Sequence, residues 1–312
     1  MSDVTDNRQL TSVICIDWGT TFARAYKVDG DGGVVDARSA PLGIAQITVG
    51  DFSGALATLL GDWRTLAVPR IAAGMIGSRQ GWVEAPYVHC PTTLDALASS
   101  LAWTPRRELA IVPGLLCRDE SQVPDVMRGE EAQIAGAIDE SASSVVAVLP
   151  GTHSKWAIVE HGRVIRFQTH MTGELYAVLM AHSILGRLAV QRANVDEAPG
   201  DAFDRGVARG LGAHGLGHVA FGARTLALTG ELEAEKISDW LSGALIGHEI
   251  AAARQWAMNQ RQQHDRIVVI GGDALTVRYA RALSHAGFIA EKGPTDASVR
   301  GLVRIAHRAH LI

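Results

Sequence analysis

The chain has 312 residues, a formal net charge of -4 and 47% hydrophobic residues. This composition is typical of a compact globular protein, and the acidic balance argues against nucleic acid or an anionic membrane as the main partner. The length predicts two domains, because single hydrophobic cores tend to split near this size. A small-molecule partner fits these properties better.

The N-terminal residues and the cysteines indicate the compartment. Residues 1–10 are polar without a basic region, and no apolar run approaches the roughly 18 residues of a membrane span. We therefore expect no signal peptide, no membrane span and a cytoplasmic protein. Cys15, Cys90 and Cys117 lack paired or metal-type spacing, which predicts buried free thiols in a reducing compartment.

The first motif that indicates chemistry is a strand, a turn and a second strand near the N-terminus. Residues 13–16 form an apolar run typical of a central strand, and residues 21–26 resume extended character. The turn contains four residues suited to a phosphate or a metal ion: Asp17, Gly19, Thr20 and Thr21. The glycine permits a tight turn whose N–H groups and hydroxyls converge on phosphate oxygens, and the aspartate could hold Mg²⁺ through water. An ordinary hairpin with a polar turn is the alternative.

The segments that follow predict the rest of an N-terminal α/β lobe. A glycine-rich turn at residues 29–33 leads into two valines, which predicts a third antiparallel strand. Residues 52–63 have helical spacing, and residues 70–73 form a short strand. A glycine-rich loop at 74–82 follows that strand, a position suited to ligand contacts. An ordinary turn is again the alternative.

Two adjacent carboxylates begin a predicted helix that runs to about residue 138. Glu130 and Glu131 occupy its first turn. Acidic side chains at a helix N-terminus compensate the helix dipole, and the residues alone favour this structural role over a catalytic one.

A second strand, turn and strand repeats the first arrangement. A small polar linker at residues 141–144 leads into the apolar strand at 145–149, and the chain becomes extended again at 157–159. The turn between these strands contains Gly151, Thr152, His153 and Lys155. Two such turns are what two facing lobes need to bind one polyphosphate from both sides through N–H and hydroxyl donors.

The last part of the chain predicts helices around one further buried strand. Residues 177–260 are mostly helical in pattern, and residues 266–270 form the strand. The strand leads into a helix at 276–286 through a junction of three residues, Gly271, Gly272 and Asp273. Two glycines at such a junction let a flat ring or a phosphate approach the backbone beside the helix start. An amphipathic helix is predicted at 296–310.

Taken in this order, the motifs resemble the 2-dehydro-3-deoxygalactonokinase family. The resemblance is carried by the strings IDWGTT, GMIGS, GW, APY, PGL, MRGEE, PGTH, KW, MTGEL and SG.LIG, and it extends from residue 14 to residue 310. It implies the α/β fold of the superfamily of sugar kinases, actin and heat-shock chaperone ATPases, with two ribonuclease-H-like lobes and an interlobe cleft. We expect residues 1–142 to form the N-terminal lobe and residues 143–295 the C-terminal lobe. The final helix, 296–312, is expected to pack back on the N-terminal lobe.

The resemblance also implies a reaction, in which ATP and Mg²⁺ phosphorylate the 6-hydroxyl of 2-dehydro-3-deoxy-D-galactonate during galactose and galactonate breakdown. Both turns are expected to bind the ATP phosphates, with Asp17 on the metal ion, and the glycine junction at 271–273 to bind adenosine. In the sugar-kinase branch, an acidic residue that begins the helix before the second phosphate strand is the base. This changes the preferred role of Glu130 and Glu131 to catalysis, with Glu130 slightly favoured. Lys155 is expected to offset charge on the transferring group, and a surface lysine is the alternative.

A sugar-acid substrate requires a cation or N–H cluster for its carboxylate and hydrogen-bonding side chains for its hydroxyls. The candidates are Ser78, Arg79, Arg128, Thr172 and Glu174. The two arginines could bind the carboxylate bidentately, or either could form an internal ion pair instead.

Other functions fit the same motifs. One alternative is a kinase for a related sugar acid or a hexose, and another is a non-catalytic, nucleotide-dependent sugar sensor or a chaperone-like ATPase. Sequence alone determines neither the choice between galacto and gluco epimers nor the oligomeric state, for which a homodimer is the candidate.

Overall fold

The computed structural model describes residues 11–48, 50–190, 199–212, 214–258 and 266–312. Two units of the chain can be distinguished. The first unit comprises the residues up to 141 together with 162–165 and 296–312, and the second comprises residues 142–161 and 166–295. Among the described residues, no helix has the length and apolar character needed to cross a membrane.

The first unit is built on a six-stranded mixed sheet. Its strands are β1 (Thr11–Trp18), β2 (Ala23–Asp29), β3 (Val34–Ala40), β4 (Arg70–Gly74), β6 (Ala102–Trp103) and β7 (Ala110–Ile111). The strand order is β3-β2-β1-β4-β7-β6, with β1 antiparallel to β2 and parallel to β4. Successive strand residues point to opposite faces, so that Ile14, Ile16 and Trp18 lie together in the core.

Four helices and a small second sheet complete the described part of the first unit. The helices are α1 (Phe52–Leu60), α2 (Leu94–Ser99), α3 (Glu130–Ala137) and α9 (Ala297–Arg308). The second sheet contains β5 (Tyr87–His89), β8 (Gly114–Arg118) and β9 (Pro124–Met127), and the sequence did not predict it. Helix α1 ends before the predicted residue 63, because a 3₁₀ helix follows at Gly61–Thr65 and Gly61 has a φ of +53°.

Helix α9 packs against α3 within the first unit. Its predicted apolar face is confirmed, since Val299, Leu302 and Ile305 are buried. A Cβ atom at Gly301 would lie 1.8 Å from the carbonyl oxygen of Ala132, so this close helix contact requires glycine.

The second unit is built on a five-stranded sheet. Its strands are β10 (Val145–Leu149), β11 (Ser154–Glu160), β12 (Arg163–His170), β13 (Ile267–Val269) and β14 (Ala290–Lys292). Their order is β12-β11-β10-β13-β14, with β10 antiparallel to β11 and parallel to β13. All five residues of β10 are buried, which is expected for a central strand covered on both faces.

Five helices belong to the described part of the second unit. They are α4 (Thr172–His182), α5 (Asp201–Leu211), α6 (Leu216–Leu228), α7 (Ile237–Met258) and α8 (Asp273–His285). Small residues allow α5 and α7 to approach closely, since a Cβ atom at Gly243 would lie 2.1 Å from the carbonyl oxygen of Phe203. The predicted helical character of residues 177–260 is confirmed for the residues that the structure describes.

The sheets of the two units share one five-stranded topology, to which the first sheet adds β6 at its edge. Each central strand pairs antiparallel with the next strand along the chain and parallel with a later one. Three consecutive strands on one side and two parallel additions on the other define the ribonuclease-H-like fold, which is thereby confirmed in each unit. The predicted free thiols are also confirmed, with Cys15 and Cys117 buried and Cys90 half-buried.

Candidate functional site

Backbone hydrogen bonds to its carbonyl groups hold the first turn in place. The N–H of Gly19 donates to the carbonyl of Phe22 over 2.9 Å, and the carbonyls of Gly19, Thr20 and Thr21 accept N–H groups from residues 43–45 over 3.0 to 3.1 Å. A Cβ atom at Gly43 would lie 2.3 Å from the backbone of Thr20, so only glycine permits this approach. Thr20 and Thr21 are exposed, and no acceptor for their backbone N–H groups occurs in the described part of the chain. The donors of this turn are therefore available to a ligand.

Asp17 lies at the end of β1, directly before the turn. Its carboxylate is partly exposed and lies 4.0 Å from the guanidinium of Arg24. Burial raises the pKa of Asp17, and the charge of Arg24 opposes that shift. A single partly exposed carboxylate beside two threonines fits hydrated Mg²⁺, which takes most of its ligands from water and phosphate. The described residues contain no cluster of three or more His, Cys, Asp or Glu side chains that could hold a metal unaided.

Two glycines bring the start of α3 against the ends of β1 and β4. Gly74 has a φ of +102°, and a Cβ atom there would lie 2.7 Å from the carbonyl oxygen of Trp18. Gly129 has a φ of +111°, and its Cβ would lie 3.2 Å from the Cα of Gly74. The structure thus brings the segments of Asp17 and of the Glu130–Glu131 pair together within the first unit.

The two glutamates differ in burial and in hydrogen bonding. Glu131 is 1% exposed, and both of its carboxylate oxygens accept the N–H of Gly129, over 2.9 and 2.7 Å. Burial, and then the charge of Glu130, raise the pKa of Glu131 to about 8. Glu130 is half-buried and accepts the N–H of Arg128 over 3.0 Å. At neutral pH, Glu131 is therefore mainly protonated, and Glu130 is the more accessible carboxyl group.

Arg128 is held in place by two contacts and retains unused donors. Its guanidinium stacks 4.4 Å from the ring centroid of Tyr87, and Nη2 donates to the carbonyl of Ala85 over 2.8 Å. Its Nε and Nη1 are buried without a hydrogen-bond partner, and so is the Oγ of Ser78. Buried polar groups are nearly always paired. The described part of the first unit also leaves Nε of Arg70 and Oγ1 of Thr92 without a partner, so the two free donors on the guanidinium of Arg128 distinguish it as a candidate for a ligand contact.

The other predicted arginine lies in a different environment. The Arg79 side chain is 83% exposed and lies 3.5 Å from Glu84. This is a surface ion pair, which contributes little and leaves the guanidinium in water. The two arginines that the sequence left equivalent are therefore distinguished by burial and by their partners.

The second turn contacts the start of α4 within the second unit. The N–H of Glu174 donates to the carbonyl of Thr152 over 3.0 Å, and the Nε2 of His153 lies 2.5 Å from Oε2 of Glu174. A Cβ atom at Gly173 would lie 2.4 Å from the carbonyl oxygen of Gly151. Glu174, which the sequence predicts on the sugar acid, pairs with His153 of the second turn, and its role toward the substrate stays a prediction.

Lys155 is not a surface residue, so that alternative is wrong. Strand β11 begins at Ser154, earlier than the sequence predicts, and this places Lys155 inside the strand. The lysine is buried and its Nζ donates to Oγ1 of Thr169 over 2.8 Å.

The glycine junction lies beside the second turn. The N–H of Ile270 donates to the carbonyl of Val148 over 2.8 Å, and a Cβ atom at Gly271, whose φ is +157°, would lie 3.7 Å from the carbonyl oxygen of Pro150. Parallel pairing of β10 with β13 brings both turns to one edge of the sheet. This arrangement suits a nucleotide that extends from one turn to the other.

Helix α8 begins at Asp273, three residues before the predicted start at 276. Asp273 is well exposed and lies 2.8 Å from the Nζ of Lys292. Thr276, in the first turn of this helix, is 3% exposed and its Oγ1 has no hydrogen-bond partner. Sequence reasoning missed Thr276, because a threonine in a first helical turn has no distinctive pattern.

Thr172 is paired within the protein. The sequence predicts that its hydroxyl binds the sugar acid, but the residue is buried and its side chain hydrogen-bonds Glu249 of α7. Its hydroxyl therefore supports the protein interior. Sequence reasoning also missed Glu249 and Tyr87, since a single glutamate within a long helix and a lone tyrosine in a short strand look ordinary.

The fold and these turns define a class. Two ribonuclease-H-like units, each with a glycine-containing turn after its central strand, are typical of the class that includes the sugar kinases, actin and the heat-shock chaperone ATPases. Within that class, the model of the family described as 2-keto-3-deoxy-galactonokinase matches residues 17–305. The chain belongs to this family.

Two relatives and one crystal structure align with nearly the whole chain. The chain is 35% identical over 295 residues to the 2-dehydro-3-deoxygalactonokinase of Escherichia coli (strain K12), which covers 94% of this chain and 97% of the relative. It is also 35% identical over 299 residues to a protein of Rhizobium meliloti (strain 1021) named probable 2-dehydro-3-deoxygalactonokinase, which covers 94% and 96%. A crystal structure from Sinorhizobium meliloti, of a protein assigned to the same activity, superposes with a TM-score of 0.85 at 34% identity, covering 95% of this chain and 98% of that chain.

Proposed function

We propose that this protein transfers the γ-phosphoryl group of ATP to the 6-hydroxyl of 2-dehydro-3-deoxy-D-galactonate. The products are 2-dehydro-3-deoxy-6-phosphogalactonate and ADP, in galactose and galactonate breakdown. Family membership supports a phosphotransferase with an alcohol acceptor. The family and its curated relative have the same substrate, because 2-keto and 2-dehydro name the same sugar acid. The observation that carries the choice of substrate is Arg128, whose unpaired donors lie close in sequence to Glu130.

Arg128 and Ser78 would bind the substrate carboxylate. The Nε and Nη1 atoms of Arg128 are buried and unpaired, while stacking on Tyr87 fixes the plane of the guanidinium. A planar fork of N–H donors matches the two oxygens of a carboxylate, which a neutral hexose lacks. This is the physical reason to prefer a sugar acid over a hexose.

Glu130 would act as the general base. The 6-hydroxyl oxygen attacks the γ-phosphorus, the bond from that phosphorus to the β,γ-bridging oxygen breaks, and the hydroxyl proton passes to the Glu130 carboxylate. Glu131 has a pKa of about 8 and is mainly protonated at neutral pH. The negative charge of the pair is therefore concentrated on Glu130, the more accessible of the two groups.

The turns would bind ATP. In the first unit, Thr20 and Thr21 would supply N–H and hydroxyl donors, and Gly19 would supply the tight turn that presents them, since its own N–H donates to Phe22. In the second unit, Gly151, Thr152 and His153 would bind the phosphates. The adenosine side would be bound at the junction of Gly271, Gly272 and Asp273, and Lys155 would offset charge through its position directly after the second turn. Mg²⁺, which Asp17 would hold through water, neutralises phosphate charge when bound.

We place the reaction in the cytoplasm, where ATP is available and the three thiols stay reduced. A homodimer stays a prediction, which light scattering on the purified protein would test.

A substrate panel tests the proposed activity. Coupled ADP release is measured with Mg-ATP and four acceptors: 2-dehydro-3-deoxy-D-galactonate, its gluco epimer, galactonate and glucose. Turnover is expected for the galacto 2-keto acid, with the product phosphorylated at oxygen 6. Preferred turnover of glucose would contradict the role of Arg128, and ADP release that no acceptor stimulates would contradict kinase activity.

A further inference from the structure

A buried carboxylate lies in the interior of the second unit. Glu249, on α7, is 2% exposed. Its Oε1 accepts the indole N–H of Trp156 over 2.7 Å, and its Oε2 accepts the hydroxyl of Tyr279 over 2.8 Å. The side chain of Thr172 also hydrogen-bonds it, and the Tyr279 hydroxyl lies 2.7 Å from the Oγ of Ser154. We refer to Glu249, Trp156, Tyr279, Thr172 and Ser154 as the Glu249 network.

The hydrogen bond between Trp156 and Glu249 has a defined donor. An indole N–H only donates, so Glu249 must accept from Trp156. Burial, the largest influence, raises the pKa of Glu249, while the hydrogen bonds from Thr172, Trp156 and Tyr279 lower it. A buried carboxylate with several donors is satisfied, whereas the same group without them would be costly.

Each partner of Glu249 belongs to a segment around the predicted nucleotide site. Ser154 and Trp156 begin β11, directly after the second turn. Thr172 begins α4, whose next two residues contact the carbonyls of that turn. Tyr279 lies on α8, which begins at the glycine junction. One side chain therefore connects the phosphate turn, the start of α4 and the adenosine-side helix.

We propose that Glu249 is a positioning residue for the nucleotide, which fixes these three segments in the arrangement that binds ATP. The inference rests on the proposed kinase function. Glu249 is buried beneath the backbone of the site, so it acts through the segments it holds. Fully satisfied polar networks specify one arrangement of the elements they join, which apolar packing of similar volume does less well.

A merely structural role is the competing explanation, and the chain offers a matched control. Asp239 is also on α7, is buried, and pairs with Arg278 of α8 over 2.8 Å. Asp239→Asn and Glu249→Gln each remove one buried charge from α7 and retain the shape of the side chain. The carboxylate of Asp239 accepts a hydrogen bond from Arg278 and its charge acts on Tyr176 of α4, but it is not a member of the Glu249 network.

The test measures nucleotide affinity by calorimetry without the sugar acid, and steady-state kinetics give the KM values for ATP and for the sugar acid. Calorimetry with Mg²⁺ and a non-hydrolysable ATP analogue gives Kd for the wild-type chain, Glu249→Gln and Asp239→Asn, and thermal unfolding gives the Tm of each. We expect Glu249→Gln to weaken binding at least 10-fold, with the KM for the sugar acid changed less than 2-fold. Asp239→Asn should lower the Tm and leave Kd within 2-fold.

Three results would overturn the proposal. Glu249→Gln could bind the analogue within 2-fold of wild type, both variants could lose affinity equally, or the KM values for ATP and sugar acid could rise together. If Glu249→Gln does not fold, Tyr279→Phe replaces it, since it removes one hydroxyl, and a change in Kd below 2-fold then overturns the proposal. A wild-type chain that binds no nucleotide would contradict the kinase function as well, and so is distinguishable from failure at Glu249 alone.

Discussion

The two turns follow equivalent strands in two sheets of the same topology, yet their surroundings differ. Near the first, Arg128 and Ser78 keep buried donors without a partner. Beneath the second, the Glu249 network pairs its hydroxyl, indole and carboxylate groups with one another. Thr276, in the first turn of α8, also keeps a buried hydroxyl without a partner, so the contrast is between the surroundings of Arg128 and the Glu249 network rather than between the whole units.

The difference has a physical meaning. An unpaired buried donor costs free energy in the protein alone, and a ligand that pairs with it recovers that cost. A network whose polar groups are already paired gains no free energy from a ligand. It instead fixes the conformation of the backbone that it supports. We infer that the first unit discriminates the sugar acid by side-chain contact, and that the second unit binds nucleotide mainly through positioned backbone.

The largest expected effect is at the base. Glu130→Gln should lower kcat by about 10²- to 10⁴-fold, because the hydroxyl then lacks a proton acceptor. Steady-state kinetics at pH 7.5, with circular dichroism to confirm folding, measure this effect. Glu131→Gln should lose far less, since the amide resembles the protonated acid. The opposite ranking would assign the base to Glu131.

The next effect is on recognition of the carboxylate. Arg128→Met should lower kcat/KM for the sugar acid by about 10- to 100-fold, because charge-assisted hydrogen bonds to the carboxylate are lost. The methionine keeps part of the contact with Tyr87. Arg79→Met is the matched control, because its guanidinium is exposed and pairs only weakly with Glu84. Equal losses in both variants would contradict the distinction between the arginines.

The smallest effect is on stability. The folded pKa of Glu131, about 8, lies above its ordinary value of 4.5. Between these values the folded state holds a proton that the unfolded state has lost, so the free energy of unfolding falls as pH rises. From pH 6 to 8 this contribution should fall by roughly 2 kcal/mol. Urea unfolding of wild type and Glu131→Gln measures it, and an identical pH slope in both would contradict the shifted pKa.

Local patterns predicted much of the fold. The apolar runs at Val145–Leu149 and Ile267–Val269, followed by glycines, identified buried strands and the turns after them. They did so because a buried parallel strand and a tight turn each require particular residues locally. The sheet of β5, β8 and β9 was missed, since short strands such as Pro124–Met127 have a mixed polar pattern.

The environments of the site residues were harder to predict from the sequence than the strands and turns were. Arg79 and Arg128 look alike in sequence, and their difference depends on burial and on their partners, Glu84 and Tyr87, which no residue pattern identifies. Thr172 was predicted on the substrate because nothing local indicates Glu249, which follows much later in the chain. Long-range side-chain pairing sets which polar groups remain for a ligand, and the residue roles stay predictions until measured.

The division of roles between the units is tested most directly by binding measurements on two variants. Calorimetry gives the affinities of Arg128→Met and Glu249→Gln for the sugar acid and for the Mg²⁺ complex of the ATP analogue. We predict that Arg128→Met weakens binding of the sugar acid at least 10-fold and that of the analogue less than 2-fold, with the reverse for Glu249→Gln. Equal weakening of both ligands in each variant would contradict the division.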